Sequence, residues 1–161
     1  MQTEYTSHIT YLSLGSNLGY KEENLRCAIR YIEERIGTLV SQSALYISEP
    51  WGFISENNFV NCVISVSTTL SPTELLDSTQ EIERVMGRNH KTINKQYTDR
   101  IIDIDILFYD SLIIQSPILT IPHPLLHERR FVLEPMVQIA ADMIHPLLQK
   151  NMTDLLAALS A

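Results

Sequence analysis

Arg100-Ile101-Ile102-Asp103-Ile104-Asp105-Ile106-Leu107-Phe108 is the stretch from which the rest of this chain is read. It alternates apolar and acidic residues, the pattern of a β-strand with one face buried. In a strand, side chains two residues apart share a face, with Cα atoms roughly 6.5–7 Å apart. Ile102, Ile104 and Ile106 therefore face a core, and Asp103 and Asp105 point together to the other side. Two carboxylates so placed repel each other unless water or a cation intervenes. Hard divalent cations take oxygen ligands, and magnesium commonly uses one or two carboxylates together with substrate phosphates. The pair thus suits a magnesium–nucleotide site, and equally an ordinary solvent-facing strand, because DxD is short and common.

Working outward, the order of elements is βαββαβ. Ile9 to Leu14 is β-prone, and Gly15-Ser16-Asn17-Leu18-Gly19 breaks it as a tight strand-to-helix turn. A helix runs from about Glu22 to Ile36 and stops at Gly37. Thr38 to Ile47 is a second strand, Ser48 to Asn58 a loop, and Phe59 to Thr69 a strong strand rich in Val, Ile and Thr. Ser71, Pro72 and Glu74 spell a helix start with a capping box, and this helix ends near Gly87. Arg88 to Asp99 is a polar, unpatterned loop leading into the Asp103–Asp105 strand. Leu112–Ile114 and Ile118–Ile121 form a short hairpin, and helices follow over about Glu128–Ala140 and Thr153–Leu159. The order predicts an α+β, ferredoxin-like βαββαβ core: an antiparallel sheet with helices on one face and helical additions at the C-terminus. With 161 residues, no repeat and no linker, the chain reads as one domain over 1–161.

Composition narrows the function. Hydrophobic residues make up 45% and charged residues 19%, as in ordinary globular proteins. No apolar run is long enough for a membrane span, and Met1 to Thr10 carries no secretory pattern. Cys27 and Cys62 form no CxxC pair and read as reduced packing residues of a cytoplasmic protein. The net charge of −7 argues against nucleic acid as a partner. Positive charge is local: Ile36 to Glu83 holds no Lys or Arg, then Arg84, Arg88, Lys91, Lys95 and Arg100 follow closely. One basic stretch on an acidic protein points to a small anionic ligand. Its position against Asp103 and Asp105 matches the pairing of metal and phosphate charge in phosphoryl-transfer sites, where Arg offers bidentate geometry. Gln80 and Glu83 lie three apart on the second helix and share a face, which a solvated surface would also explain. His123 sits between two prolines, where a lone His is most often structural. Trp51, Phe53, Phe59 and Phe131 fit either core packing or a sandwich around a flat heterocycle. There is no nucleophile elbow and no Ser-His-Asp or Cys-His set, so direct in-line transfer is the more economical chemistry.

Taken in order, several blocks resemble the 6-hydroxymethyl-7,8-dihydropterin pyrophosphokinase family of folate biosynthesis. They are Tyr11-Leu12-Ser13-Leu14-Gly15-Ser16-Asn17-Leu18, Glu49-Pro50-Trp51-Gly52, Phe59-Val60-Asn61, Thr79-Gln80-Glu81-Ile82-Glu83 with Gly87-Arg88, the Arg100–Leu107 strand, Ile121-Pro122-His123-Pro124, and His127-Glu128-Arg129-Arg130-Phe131-Val132-Leu133. The resemblance implies transfer of the β,γ-pyrophosphoryl unit of ATP to the pterin hydroxymethyl oxygen, with release of AMP. It implies that Asp103 and Asp105 hold two magnesium ions and that Arg88 and Arg100 contact phosphate in the catalytic set. It implies a nucleotide site of Gln80, Glu83, Arg88, Tyr97, Arg100, Ile106, Thr120, His123 and Arg129. It implies a pterin site of Ser48, Pro50, Trp51, Phe59, Asn61 and Phe131. The chain is expected to be a monomer, with ATP and the pterin as its small-molecule substrates. The chain departs from the family pattern at His90, Tyr97, Thr98 and Asp99, all in the loop before Arg100. The alternatives are another magnesium-dependent phosphotransferase or nucleotidyltransferase, and a ferredoxin-like binding module without catalysis.

Overall fold

A computed structural model of the chain describes residues 6–49, 57–87 and 100–159. The elements in chain order are β1 (His8–Ser16), α1 (Lys21–Arg35), β2 (Gly37–Gln42), β3 (Tyr46–Ser48), β4 (Phe59–Thr68), α2 (Pro72–Val85), β5 (Asp103–Tyr109), β6 (Ile114–Gln115), β7 (Thr120–Ile121), α3 (Arg130–Ala140) and α4 (Met152–Leu159). The main sheet runs β2-β4-β1-β5, with β3 continuing the β2 side against β4, and all its pairings are antiparallel. With β2 and β3 counted as one interrupted strand, this is the ferredoxin-like arrangement expected from the element order. β5 lies at one edge of the sheet.

The isoleucines of the opening stretch do what their alternation demands. Ile102, Ile104 and Ile106 are buried with Leu12 and Leu14 of β1 beneath Leu25 and Ile32 of α1 and Leu75 and Ile82 of α2. Each such isoleucine contributes about 1.5–3 kcal/mol relative to exposure, which fixes the register of the edge strand. The capping box at the start of α2 forms as read: the Glu74 N–H donates to Ser71 Oγ (3.2 Å) and the Ser71 N–H donates to Glu74 Oε1 (3.0 Å). The short hairpin forms between β6 and β7.

Four expectations change. Helices cover both faces of the sheet, because α3 and α4 pack Val132, Leu133, Met136, Met152 and Leu155 against Val63, Leu107 and Phe108 on the face opposite α1 and α2. A bulge makes this possible. Between Tyr11 and Leu12 the β1–β5 register slips and leaves Leu107 as the extra residue, so the face that carries Asp103 and Asp105 turns apolar beyond them. The second strand is two strands, broken where Ser43 replaces ladder bonds with its side chain: its N–H donates to Val63 O, and its Oγ accepts from the Val63 N–H, both at 2.9 Å. β1 runs on through Gly15 and Ser16, which pair with Asn61 and Val60, where a turn was expected. Finally, α3 begins at Arg130, after a 3-10 turn at Leu126–Glu128.

Gly37 is the first residue of β2 as well as the point where α1 has ended. A Cβ there would lie 2.0 Å from the Ser67 carbonyl oxygen of the paired strand. Backbone cannot swing aside as a side chain can, so Gly37→Ala is expected to cost about 3 kcal/mol, the upper end for overpacking. The urea midpoint measures this.

Candidate active site

The site grows from one register. Gly15 of β1 stands opposite Asn61 on β4 and opposite Asp103 on β5, and Ser13 stands opposite Asp105. Three strands thus bring a glycine, a serine, an amide and two carboxylates to one face of the sheet. Over them lie Phe59 from β4, Ser48 and Glu49 from the end of β3, Arg100, and Arg129 and Phe131 from the start of α3, and together these line one cleft.

Asn61 has a fixed orientation. Its Nδ2 donates to Tyr46 O (3.0 Å) and to Ser48 Oγ (2.8 Å). Both amide hydrogens are then used, and Oδ1 is turned toward Gly15, where an added Cβ would meet it at 2.9 Å and Phe59 Cδ1 at 3.4 Å. The glycine leaves the space in which a ligand donor can reach that oxygen.

Each aspartate faces a buried arginine: Arg100 Nη1 lies 3.0 Å from Asp103 Oδ1, and Arg129 Nη1 lies 3.7 Å from Asp105 Oδ2. The arginines offset the mutual repulsion of the two carboxylates in the metal-free protein. Arg129 also stands 5.6 Å from the centre of the Phe131 ring, so it stiffens one wall of the cleft. Arg100 is held by Asn17. The Arg100 N–H donates to Asn17 Oδ1 (2.6 Å), and the Asn17 N–H donates to Arg100 O (3.0 Å). Asn17 Nδ2 reaches Asn57 O at 3.3 Å, close to the start of the strand that carries Phe59.

A second cleft follows the outer edge of β5. It is lined by Leu76 and Thr79 of α2, Ile104, Asp105 and Ile106, Ile118 to Thr120, and His123 with Pro124. Two contacts shape this edge: the Ile104 N–H donates to Glu83 Oε2 (3.1 Å), and the His123 N–H donates to Leu107 O (3.0 Å). By strand alternation, the backbone polar groups of Ile106 point the same way as those of Ile104, toward the cleft. Asp105 lines both clefts.

His123 accepts the Leu125 N–H at Nδ1 (3.1 Å), which leaves the proton on Nε2. Burial, reinforced by the charge of Arg129 and opposed by that of Asp103, lowers its pKa to about 4. Burial lowers that of His145 in the same direction, with help from His127. The unfolded chain therefore binds protons that the native protein refuses. This contribution to stability is complete above the ordinary value of 6.5 and is lost as pH falls toward the folded value of about 4. In metal-free protein, urea midpoints are expected to fall across that window, and His123→Gln to fall less steeply, with His145 supplying the remaining slope.

Of the residues singled out in the sequence, the first cleft gathers Ser48, Phe59, Asn61, Arg100, Asp103, Asp105, Arg129 and Phe131. The second gathers Asp105, Ile106, Thr120 and His123. Gln80 and Glu83 do not share an environment. Gln80 is exposed on α2, while Glu83 is buried against the β5 backbone, and neither is among the lining residues of these two clefts. Pro50, Trp51, Arg88 and Tyr97 lie outside the described residues, as does the 88–99 loop with its departures at His90, Thr98 and Asp99. Asn17, Ser13 and Thr79 were not singled out. Nothing in their local sequence separates a polar residue holding a site from one closing a turn or filling a helix.

The carboxylate pair fits magnesium. Its ligands are hard oxygens on one face, only partly shielded from the cleft. Among the described residues no three His, Cys, Asp or Glu converge to hold a metal without help, which suits an ion completed by substrate phosphates and water.

Fold and site define a ferredoxin-like α+β protein with two clefts that share one residue, Asp105. The family model of 7,8-dihydro-6-hydroxymethylpterin-pyrophosphokinase matches residues 11–141, and the chain belongs to that family. It is 43% identical over 139 residues to the 2-amino-4-hydroxy-6-hydroxymethyldihydropteridine pyrophosphokinase of Porphyromonas gingivalis, covering 86% of this chain and 94% of that one. It is 41% identical to the enzyme of the same name from Haemophilus influenzae, over 84% of each chain. The fold also matches a solved Plasmodium falciparum HPPK-DHPS structure with a TM-score of 0.79 at 16% identity, covering 98% of this chain and 45% of that longer one.

Proposed function

We propose that this protein transfers the β,γ-pyrophosphoryl group of ATP to the hydroxymethyl oxygen of 6-hydroxymethyl-7,8-dihydropterin, releasing AMP, as a step of folate biosynthesis. The observation that carries the reading is Asp105, the residue that lines both clefts. One substrate in each cleft would bring its reacting end to that residue, which is the proximity an in-line transfer needs.

The aromatic cleft takes the pterin. Phe59 and Phe131 supply apolar faces, and the fixed Asn61 Oδ1 accepts from the amino-pyrimidine edge. Ser48 fixes Asn61, and Pro50 and Trp51 are assigned to the pterin by resemblance to the family. The edge cleft takes the adenine, with the Ile106 backbone, Thr120 and neutral His123 as its polar contacts. By resemblance Arg88 and Tyr97 are assigned to the phosphate and nucleotide side, and Glu83, on the same helix as Gln80, acts on that side through the β5 edge whose Ile104 N–H it accepts. The hydroxymethyl oxygen attacks the β-phosphorus, the bond from that phosphorus to the α,β-bridging oxygen breaks, and AMP leaves with the electron pair. Arg100 and Arg129 bring positive charge to the oxygens where negative charge grows. Asp103 and Asp105 hold two magnesium ions, which when bound neutralise phosphate charge and ease deprotonation of the alcohol. The protein works as a cytoplasmic monomer.

Product analysis tests this reading. Purified protein with ATP, magnesium and the pterin alcohol is expected to give AMP and the pterin diphosphate, to stop on chelation and to resume when magnesium is restored. ADP or free pyrophosphate as the main product would contradict it.

A further inference from the structure

The floor of the aromatic cleft holds a polar side chain that neither the carboxylate pair nor the asparagine accounts for. Ser13 is 6% exposed, and its side chain lines that cleft. Its hydroxyl meets no hydrogen-bond partner among the described residues. The hydroxyl is not one of the fully buried atoms left without a partner, so it opens to the cleft, where a ligand or water can complete it. It is also a rigid feature, since it sits mid-strand between two paired neighbours, β4 and β5.

We propose that Ser13 is a specificity-determining contact that donates its hydroxyl proton to the ring nitrogen N5 of the bound dihydropterin; this rests on the function proposed above. The register carries the argument. Gly15 and Ser13 lie on one face of β1, roughly 6.5–7 Å apart, with Asn61 and Asp103 at the level of Gly15 and Asp105 at the level of Ser13. That span is about the length of a two-ring heterocycle. With the donor-rich pyrimidine edge at Asn61 Oδ1, the second ring reaches the level of Ser13. Its C6 substituent, the reacting alcohol, is then directed toward Asp105. N5 adjoins C6 and is an imine nitrogen, an acceptor with no proton of its own. Beside two carboxylates it needs a donor, and Ser13 is the uncharged donor on the floor at that level.

Ser13→Ala removes the hydroxyl and leaves the cleft apolar at this point. The variant is expected to melt at the wild-type temperature and to keep the wild-type KM for ATP. Its KM and its directly titrated Kd for the pterin are expected to rise about three- to tenfold, the range for a lost neutral hydrogen bond. The 5-deaza analogue of the substrate, which has carbon in place of N5, is expected to bind wild type worse by the same factor and to cost Ser13→Ala nothing further. Unchanged pterin affinity in Ser13→Ala overturns the proposal. So does an equal 5-deaza penalty in both proteins, or an effect that falls on ATP. Failure of wild type to bind the pterin at all overturns this inference together with the function it rests on. Pterin binding without formation of AMP overturns the function alone, and the 5-deaza comparison of Kd values then still decides the role of Ser13.

Discussion

Asp105→Ala is expected to lower kcat by on the order of 10³-fold or more, the scale on which removing one charge-stabilising group from a preorganised site is felt. Asp105 is the residue common to both clefts, so its loss acts on the contact between the two substrates and not on one affinity. The variant keeps its fold, because the side chain faces the cleft while Ile104 and Ile106 on either side hold the strand in the core. It also leaves Arg129 without the carboxylate 3.7 Å away. Phosphate can then be drawn toward Arg129, and ATP affinity is expected to be kept or modestly increased while turnover collapses. That split separates an enzyme from a binding module, for which loss of the carboxylate would have no turnover to remove. Steady-state kinetics beside a titration with a non-hydrolysable ATP analogue makes the measurement. Turnover within tenfold of wild type would remove Asp105 from the catalytic role.

Arg100→Ala is the second large effect, and it acts on stability as well as rate. Arg100 is buried, sits 3.0 Å from Asp103, and is fixed through its backbone by Asn17. Removing Arg100 takes a buried counter-charge from the Asp103 carboxylate, a change worth about 3–5 kcal/mol where pairs are fully buried and less here, because the Asp103 side chain is 23% exposed. With Asp105 nearby, the remaining pair of carboxylates repels. Magnesium is expected to recover part of the lost melting temperature in this variant, and little in wild type. Turnover is expected to stay at least about 10³-fold down with magnesium present, since an arginine that stabilises transferring phosphoryl oxygens is worth that much or more. Arg100→Lys keeps the charge but not the fork of donors, so it is expected to restore stability ahead of rate.

Much of this site was legible because it is built from strand periodicity and from short blocks around it. Asp103 and Asp105 share a face for the same reason that Ile102, Ile104 and Ile106 do, and alternation is a local property of the chain. The capping box of α2 was legible because its bonds join residues three apart. Glu83 was not legible in the same way. Helical spacing allies it with Gln80, but its environment is set by the edge of β5, whose Ile104 N–H it accepts. Asn17 was read as part of a turn, and its partner Arg100 lies far along the chain. The bulge at Leu107, which lets α3 and α4 cover the second face, is a mismatch between two strands and belongs to neither sequence alone.

The sequence by itself therefore determined the order of the elements, the paired carboxylates, and the family blocks that point to a pyrophosphoryl transfer. Those features depend on neighbours within a few residues or on motif order. Only the tertiary structure decided that Asp105 stands where two clefts meet, that Arg100 and Arg129 answer one aspartate each, that Asn61 turns its oxygen toward Gly15, and that Ser13 lies in register with Asp105 on the floor of the cleft. The physical reason is register. Which residues of distant strands stand opposite one another is fixed by the packing of both sheet faces at once, and no local pattern carries that information.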